Sequence, residues 1–276
     1  MCLFVGFSLV ACQKAVENEA EKALGENETA IQSYIKTKNL TMQKTASGLY
    51  YQKQKENATG KTFKVGDELA IHYTLFTLQG AVVDSTDRLK NQPYAFPFMG
   101  IRLLAGMEEA LLLMKTGERS LLLLNHTLAF QNQSNAVLPA YSPLGVVVEL
   151  VRTRTETQQI DDYVGSKKLT VTEKTSSGLY FIKTAPSTED ILKSGQAVQI
   201  KYTGKLLNDK VFDSGQFAFT VGAGRTIKGF EEGIAKMRLG EKATLIFASD
   251  LGYGPTGSGS TITPYAPLLF EIEVVK

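Results

Sequence analysis

The sequence predicts an α+β protein of two domains, each a curved antiparallel sheet of about five strands wrapped on one short helix. Three observations predict it. A set of short motifs occurs twice, at an offset of 129 residues that falls to 123 further along. Several segments alternate apolar and polar residues with a period of two, the mark of a strand with one buried face. One short segment in each half carries an apolar stripe at helical spacing. Two copies at this period are two domains rather than a solenoid, because each is long enough for its own core.

At the N-terminus, residues 3–10 are apolar but too short to span a bilayer. Residues 1–11 read as a secretory signal built around that run. Leu9-Val10-Ala11-Cys12 resembles the lipobox of bacterial lipoproteins, although no Lys or Arg precedes the apolar run. The resemblance implies a lipid on Cys12 and attachment to a membrane through that anchor. It places the protein in the bacterial cell envelope, facing the periplasm or the cell exterior. Residues 12–42 follow as a lipid-anchored tether and short helix. Residues 13–30 lack apolar periodicity and are expected to be partly helical at best. Ile31, Tyr34 and Ile35 then form a short amphipathic turn.

The repeat fixes the rest of the chain. Ile31-Gln-Ser-Tyr34-Ile35, Leu40-Thr41 and Gly48-Leu49-Tyr50 return as Ile160-Asp-Asp-Tyr163-Val164, Leu169-Thr170 and Gly178-Leu179-Tyr180. Tyr73-Thr74 returns as Tyr202-Thr203, Asp84-Ser85 as Asp213-Ser214, and Gly106-Met107-Glu108-Glu109 as Gly229-Phe230-Glu231-Glu232. The second copy has lost about six residues between Asp213 and Gly229, judged from the change in offset. The copies run from 43 to 153 and from 170 to 276. Residues 154–169 form a linker with a short helix, and the polar stretch from Arg152 to Gln159 is the expected joint.

In the second copy Val198, Ile200 and Tyr202 alternate with Gln199, Lys201 and Thr203, Ala243, Leu245 and Phe247 do so against Thr244, and Phe270, Ile272 and Val274 against Glu271 and Glu273. These are strands with one face on a core. Ile227, Phe230, Ile234 and Met237 make the helix stripe, and Gly240 ends that segment. Gly229 and Gly233 leave room beside Phe230 for a close approach. Glu231 and Glu232 are adjacent on this helix and point apart, so they read as first-turn charges and not as an acid–base pair. Asp250 to Ser260, rich in glycine, is a loop.

Composition excludes several functions. A net charge of +2 without a basic run argues against nucleic-acid binding by phosphate neutralisation. Cys2 and Cys12 are the only cysteines, and His72 and His126 the only histidines. The second copy therefore has no thiol or imidazole for covalent catalysis, and neither a metal nor a cofactor is expected. His72 and His126 are expected at the surface, on a strand and a loop.

Tyr202-Thr203-Gly204, Val211-Phe212-Asp213-Ser214, Phe217-Ala-Phe219, Gly229-Phe230-Glu231-Glu232-Gly233, Met237, Gly240, Tyr253-Gly254 and Pro264 stand in the order of FKBP-type peptidyl-prolyl isomerases, which this copy closely resembles. The resemblance implies prolyl cis/trans isomerisation on proline-containing polypeptides, with macrolides of the tacrolimus and rapamycin type as further ligands. Phe230 then floors a proline pocket, a position usually held by Trp in eukaryotic members. Tyr202, Phe212, Phe217, Ile262 and Phe270 form its walls, beside Thr226. Asp213 sits at the rim, bonded to Tyr202, and the Ile227 N–H and Tyr253 hydroxyl hold substrate carbonyls. Ser258 replaces a frequent loop histidine. Taken singly, Tyr202, Phe212 and Phe270 read as core ahead of pocket, and Asp213 reads equally well as a turn residue.

The residue types suit that reaction. A prolyl bond turns in tens to hundreds of seconds unaided. Its barrier, about 18–20 kcal/mol, is lost amide resonance. No bond breaks, so a catalyst need only favour the twisted amide over the planar one. The planar amide is the more polar, and an apolar, water-poor cleft disfavours it.

The first copy keeps the helix stripe as Leu104, Met107, Leu111 and Met114, and keeps Tyr73 and Asp84. Met107 stands for Phe230, Val83 for Phe212, Val146 for Phe270 and Phe130 for Tyr253. On these changes the first copy is expected to keep the scaffold and lose the pocket. It would bind client chains or act as a spacer. Two readings follow for the whole chain: an isomerase of exported or envelope polypeptides with its activity in the second copy, or a non-catalytic chaperone that uses both copies.

Overall fold

A computed structural model describes residues 6–275 in backbone and residues 18–275 in side chains. The expected signal at 1–11 and the Cys12 side chain lie outside the described side chains. The chain divides into two compact units, one of residues 1–63, 69–95 and 102–153, the other of residues 64–68, 96–101 and 154–276.

In the first unit, helix α1 (Gly6–Thr37) precedes strands β1 (Gln43–Lys44), β2 (Tyr50–Lys55), β3 (Glu68–Thr77), β4 (Val82–Ser85) and β5 (Tyr94–Pro97). Helix α2 (Ala105–Leu112), β6 (Arg119–Leu124) and β7 (Leu144–Arg154) follow. The sheet order is β1-β2-β6-β7-β3-β4, with β5 also on β3. The second unit repeats this as α3 (Glu156–Ser166), β8 (Glu173–Lys174), β9 (Tyr180–Ala185), β10 (Ala197–Leu206), β11 (Val211–Thr220), α4 (Lys228–Ala235), β12 (Lys242–Phe247) and β13 (Leu268–Val275). Its order is β11-β10-β13-β12-β9-β8, and every pairing is antiparallel. The fold is α+β, as the alternation and the stripe predict.

The six residues missing from the second copy explain one difference. β11 runs unbroken beside β10 from Ala197↔Thr220 to Gly204↔Asp213. In the first copy the same strand is interrupted between β4 and β5, where Leu89 stands fully exposed.

Each sheet is covered on both faces. Inside the second, α4 lays Phe230 and Ile234 on Ile200, Leu245, Phe247, Phe270 and Ile272, with Met237 just beyond it. Gly229 and Gly233 do admit a close approach, and what approaches is the sheet. A Cβ on Gly229 would lie 2.6 Å from the Phe247 ring, and one on Gly233 2.1 Å from Leu245.

The outer face is not solvated, as alternation alone would have it. Ile246 and Leu269 are 0% and 2% exposed there, because the Ile160, Tyr163 and Val164 stripe of α3 lies over them with Tyr180 and Ile182. The expected joint at 152–159 is thus the end of β7 and the start of α3, begun by a Thr155–Gln158 capping box.

α1 corrects the reading of residues 13–30 as a tether. It is one continuous helix. Ala23, Asn27 and Ile31, four residues apart, are buried, and Ile31 packs with Tyr50 and Leu123 on the outer face of the first sheet. The stripe carries no apolar signal because one position is alanine and another asparagine. Both histidines are also buried, His72 6% and His126 3% exposed, against the surface placement expected. The His72 Nδ1 pairs with the Thr86 hydroxyl at 2.9 Å, and the His126 Nε2 with the Ala20 carbonyl of α1 at 3.1 Å. No described helix is long and apolar enough to cross a membrane.

Candidate functional site

The candidate site of the second copy is a cleft of about 380 Å³ between the inner face of the sheet and the N-terminus of α4. Strand β10 supplies Tyr202, β11 supplies Asp213 and Phe217, and β13 supplies Phe270. Thr226 and Ile227 come from the turn before α4, Phe230 from α4 itself, and Tyr253 from the loop after β12. Arg225 also lines the cleft, a residue the sequence reading did not single out.

Phe230 is the floor, 3% exposed. Edge-on contacts with Tyr202 at 5.9 Å and Phe270 at 5.2 Å hold it, with Phe217 stacked at 6.2 Å. Edge-to-face pairs of this kind fix ring orientation beyond what burial alone does. Two predicted wall residues stand outside the cleft lining. Phe212 packs edge-on behind Phe270 at 5.6 Å, over Gly204, where any Cβ would lie 2.6 Å from its ring. Ile262 is 6% exposed in the core and pairs through its backbone with Ser258.

The polar groups are few and specific. Tyr202 donates its hydroxyl to Asp213 at 2.7 Å. That bond, then burial, pushes the phenol up to about 12, so it stays protonated at any physiological pH. Ile227 is the N-cap of α4, and among the described residues its N–H donates to no protein acceptor. A free N–H at a helix start is an available donor. The Tyr253 hydroxyl also has no protein partner among the described residues.

Glu231 shapes the turn. Its carboxylate accepts from the N–H groups of Arg225 and Thr226 at 2.9 and 3.2 Å. Glu232 points elsewhere and accepts from Ser177. The pair has no shared proton to move, in keeping with its spacing.

The expectation that the first copy loses its pocket is corrected. A cleft of about 690 Å³ stands at the equivalent place, lined by Tyr73, Asp84, Tyr94, Met107, Phe130 and Arg102 among others. Of the aliphatic replacements only Met107 lines it, and Thr127, Ala129, Gln131 and Gln133 extend its wall beside Phe130. Leu75 lines this cleft at the position of Gly204, and Tyr94 at that of Phe217. Tyr73 donates to Asp84 at 2.7 Å, and burial followed by that bond pushes it up to about 12.

A ring-lined cleft with neutral donors and no thiol or imidazole, set in a curved sheet over one helix, defines a domain that acts on a chain by shape and hydrogen bonding. The family model described as FKBP-type peptidyl-prolyl cis-trans isomerase matches residues 60–151 and 189–275. The chain belongs to that family and carries two copies of its domain. It is 44% identical over 92 residues to a peptidyl-prolyl cis-trans isomerase of Schizosaccharomyces pombe, covering 32% of this chain and 82% of that one. It is 44% identical over 86 residues to FK506-binding protein 1 of Dictyostelium discoideum, covering 29% and 80%. Against the crystal structure of the three FKBP domains of wheat FKBP73 the TM-score is 0.42 at 21% identity, covering 86% of this chain and 98% of that one.

Proposed function

We propose that the second copy isomerises prolyl bonds in exported or envelope polypeptides, and that Cys12 carries a lipid which holds the protein on a bacterial membrane. The observation that carries the enzymatic part is the pairing of an aromatic cleft with two unengaged donors, the Ile227 N–H and the Tyr253 hydroxyl. The pyrrolidine ring sits on Phe230 between Tyr202 and Phe270. The donors hold flanking carbonyls, and the twisted amide, less polar than the planar one, is favoured where water is excluded. The same cleft takes macrolides of the tacrolimus and rapamycin type, a reading supported by the name of the Dictyostelium relative. The lipid part rests on Leu9-Val10-Ala11-Cys12 alone.

A second reading applies to the first copy. Its cleft is wider, floored by the flexible thioether of Met107, and has Phe130 where the second copy has its Tyr253 hydroxyl. A thioether floor adapts to varied aliphatic side chains, so this copy holds client segments without turning them.

Exchange NMR on a prolyl peptide with the full chain tests both readings. Asp213→Asn is expected to lower turnover while Asp84→Asn leaves it unchanged; equal losses would place activity in both copies. Mass spectrometry of the mature N-terminus tests the lipid.

A further inference from the structure

We infer that Glu156, on the helix outside the second sheet, is a positioning residue for the cleft and acts through Tyr253; the inference rests on the isomerase reading of that cleft. Glu156 is the first residue of α3, on the face of the sheet opposite the cleft. Its carboxylate nevertheless reaches the 3-10 turn Ser249–Leu251 that follows β12. Oε2 accepts the Ser249 N–H at 2.5 Å, and Oε1 the Ser249 hydroxyl at 2.8 Å. Leu251 in that turn is buried in the core, and Tyr253 follows two residues later with its ring in the cleft. The first N–H of such a turn has no partner within it. Here the acceptor comes from a different element and fixes where the turn begins.

The first copy repeats the device with different chemistry. Asn27 stands where Glu156 does, by the offset of 129 residues. Its Oδ1 accepts the His126 N–H at 2.7 Å, at the first residue of the turn His126–Leu128. Phe130 then enters that cleft as Tyr253 enters the other. Two copies that differ at most cleft positions both tie the outer helix to the start of this turn. The tie therefore belongs to how the loop is aimed.

The carboxylate gives the second copy a property the carboxamide cannot. Burial pushes Glu156 above the usual carboxylate range, against the pull of Ser249, and Asp250 and Asp67 push the same way. Protonation leaves a carboxyl that no longer accepts from both Ser249 groups with full charge.

Prolyl-peptide exchange and Tyr253 ring signals, both read by NMR on the full chain, test this. Glu156→Ala is expected to lower kcat/KM about tenfold, the loss of one neutral hydrogen bond in the transition state. Glu156→Gln, which still accepts from the Ser249 N–H, should restore most of it. Added to Tyr253→Phe, Glu156→Ala should lower kcat/KM no further, since it acts through that hydroxyl. Ser249→Ala, which removes the hydroxyl and keeps the N–H, guards against misfolding and should give a smaller loss. Additive losses in the double variant, or Tyr253 ring signals unmoved by Glu156→Ala, overturn the inference. If the native chain turns over no peptide while Glu156→Ala still shifts those signals, the latch stands and the isomerase reading falls.

Discussion

Tyr202 and Asp213 stand eleven residues apart, on neighbouring strands, and meet through one hydrogen bond of 2.7 Å. Tyr73 and Asp84 in the first copy repeat it at the same length. Both bonds are solvent-exposed, so each contributes little to stability, about 1 kcal/mol or less. Replacing Asp213 with Asn should therefore lower turnover by roughly tenfold with almost no change in melting temperature. A large fall in melting temperature would make the pair a structural brace instead.

The raised phenols set a pH window. A phenol pushed up to about 12 binds its proton more tightly folded than unfolded. Its stabilising contribution is complete below the ordinary tyrosine value near 10 and is lost as pH climbs from there to about 12. Turnover should show no ionisation of Tyr202 up to about pH 10, followed by an alkaline decline. Ultraviolet titration should find Tyr202 and Tyr73 ionising late, and their early ionisation would contradict the bonds.

Phe230 belongs to floor and core at once, touched by four rings and 3% exposed. Truncation to alanine should cost about 3–5 kcal/mol, which hides any effect on chemistry. Phe230→Met instead copies the floor of the first cleft. It should cost under about 2 kcal/mol and lower kcat/KM more than that loss of folded protein explains. Met107→Phe in the first copy should not create activity, because Phe130 lacks a hydroxyl. Added to Asp213→Asn, Met107→Phe should leave turnover at the level of Asp213→Asn alone, and any rise above that level would sink this account.

Much of this was legible in the sequence. The Phe230 stripe, the alternating strands and the repeat led to the right sheet and helix, because apolar periodicity records burial directly. Most of the cleft residues also fell together as the resemblance implied. What escaped was burial through polar or small residues. Asn27 and Ala23 carry no hydrophobic period, so α1 read as a tether. Ile246 and Leu269 stand in the apolar runs Leu245-Ile246-Phe247 and Leu268-Leu269-Phe270, which mark burial on both faces, but a period of two accounts for only one of those faces. Volume escaped as well: side-chain identity showed that rings were lost from the first copy, not that a cleft would remain.

Gly233 shows how tightly α4 lies on β12. A methyl there meets Leu245 at 2.1 Å, well inside contact distance. Gly233→Ala should destabilise the second copy by about 1–3 kcal/mol despite the better helix propensity of alanine. Gly165 in α3 has nothing within 4 Å of its missing Cβ. Gly165→Ala should therefore stabilise slightly, by about 0.5–1 kcal/mol. Thermal melts that rank the two variants the other way would mean the helix rests on the sheet differently.

Asn27 decides whether α1 is part of the first copy or merely attached to it. It is 4% exposed, accepts the His126 N–H at 2.7 Å and donates to the Tyr141 carbonyl at 3.0 Å. Asn27→Ala takes the partner from the buried His126 N–H and from the half-buried Tyr141 carbonyl, at a cost of about 1–3 kcal/mol. Helix α1 should then open locally more often than the sheet unfolds. Hydrogen exchange should show the His126 amide losing protection while the β6 amides keep theirs. If the His126 amide exchanges as slowly in the variant as in the native chain, α1 is held by Ile31 and its apolar neighbours alone. The polar tie to the turn would then be incidental to the docking of the helix.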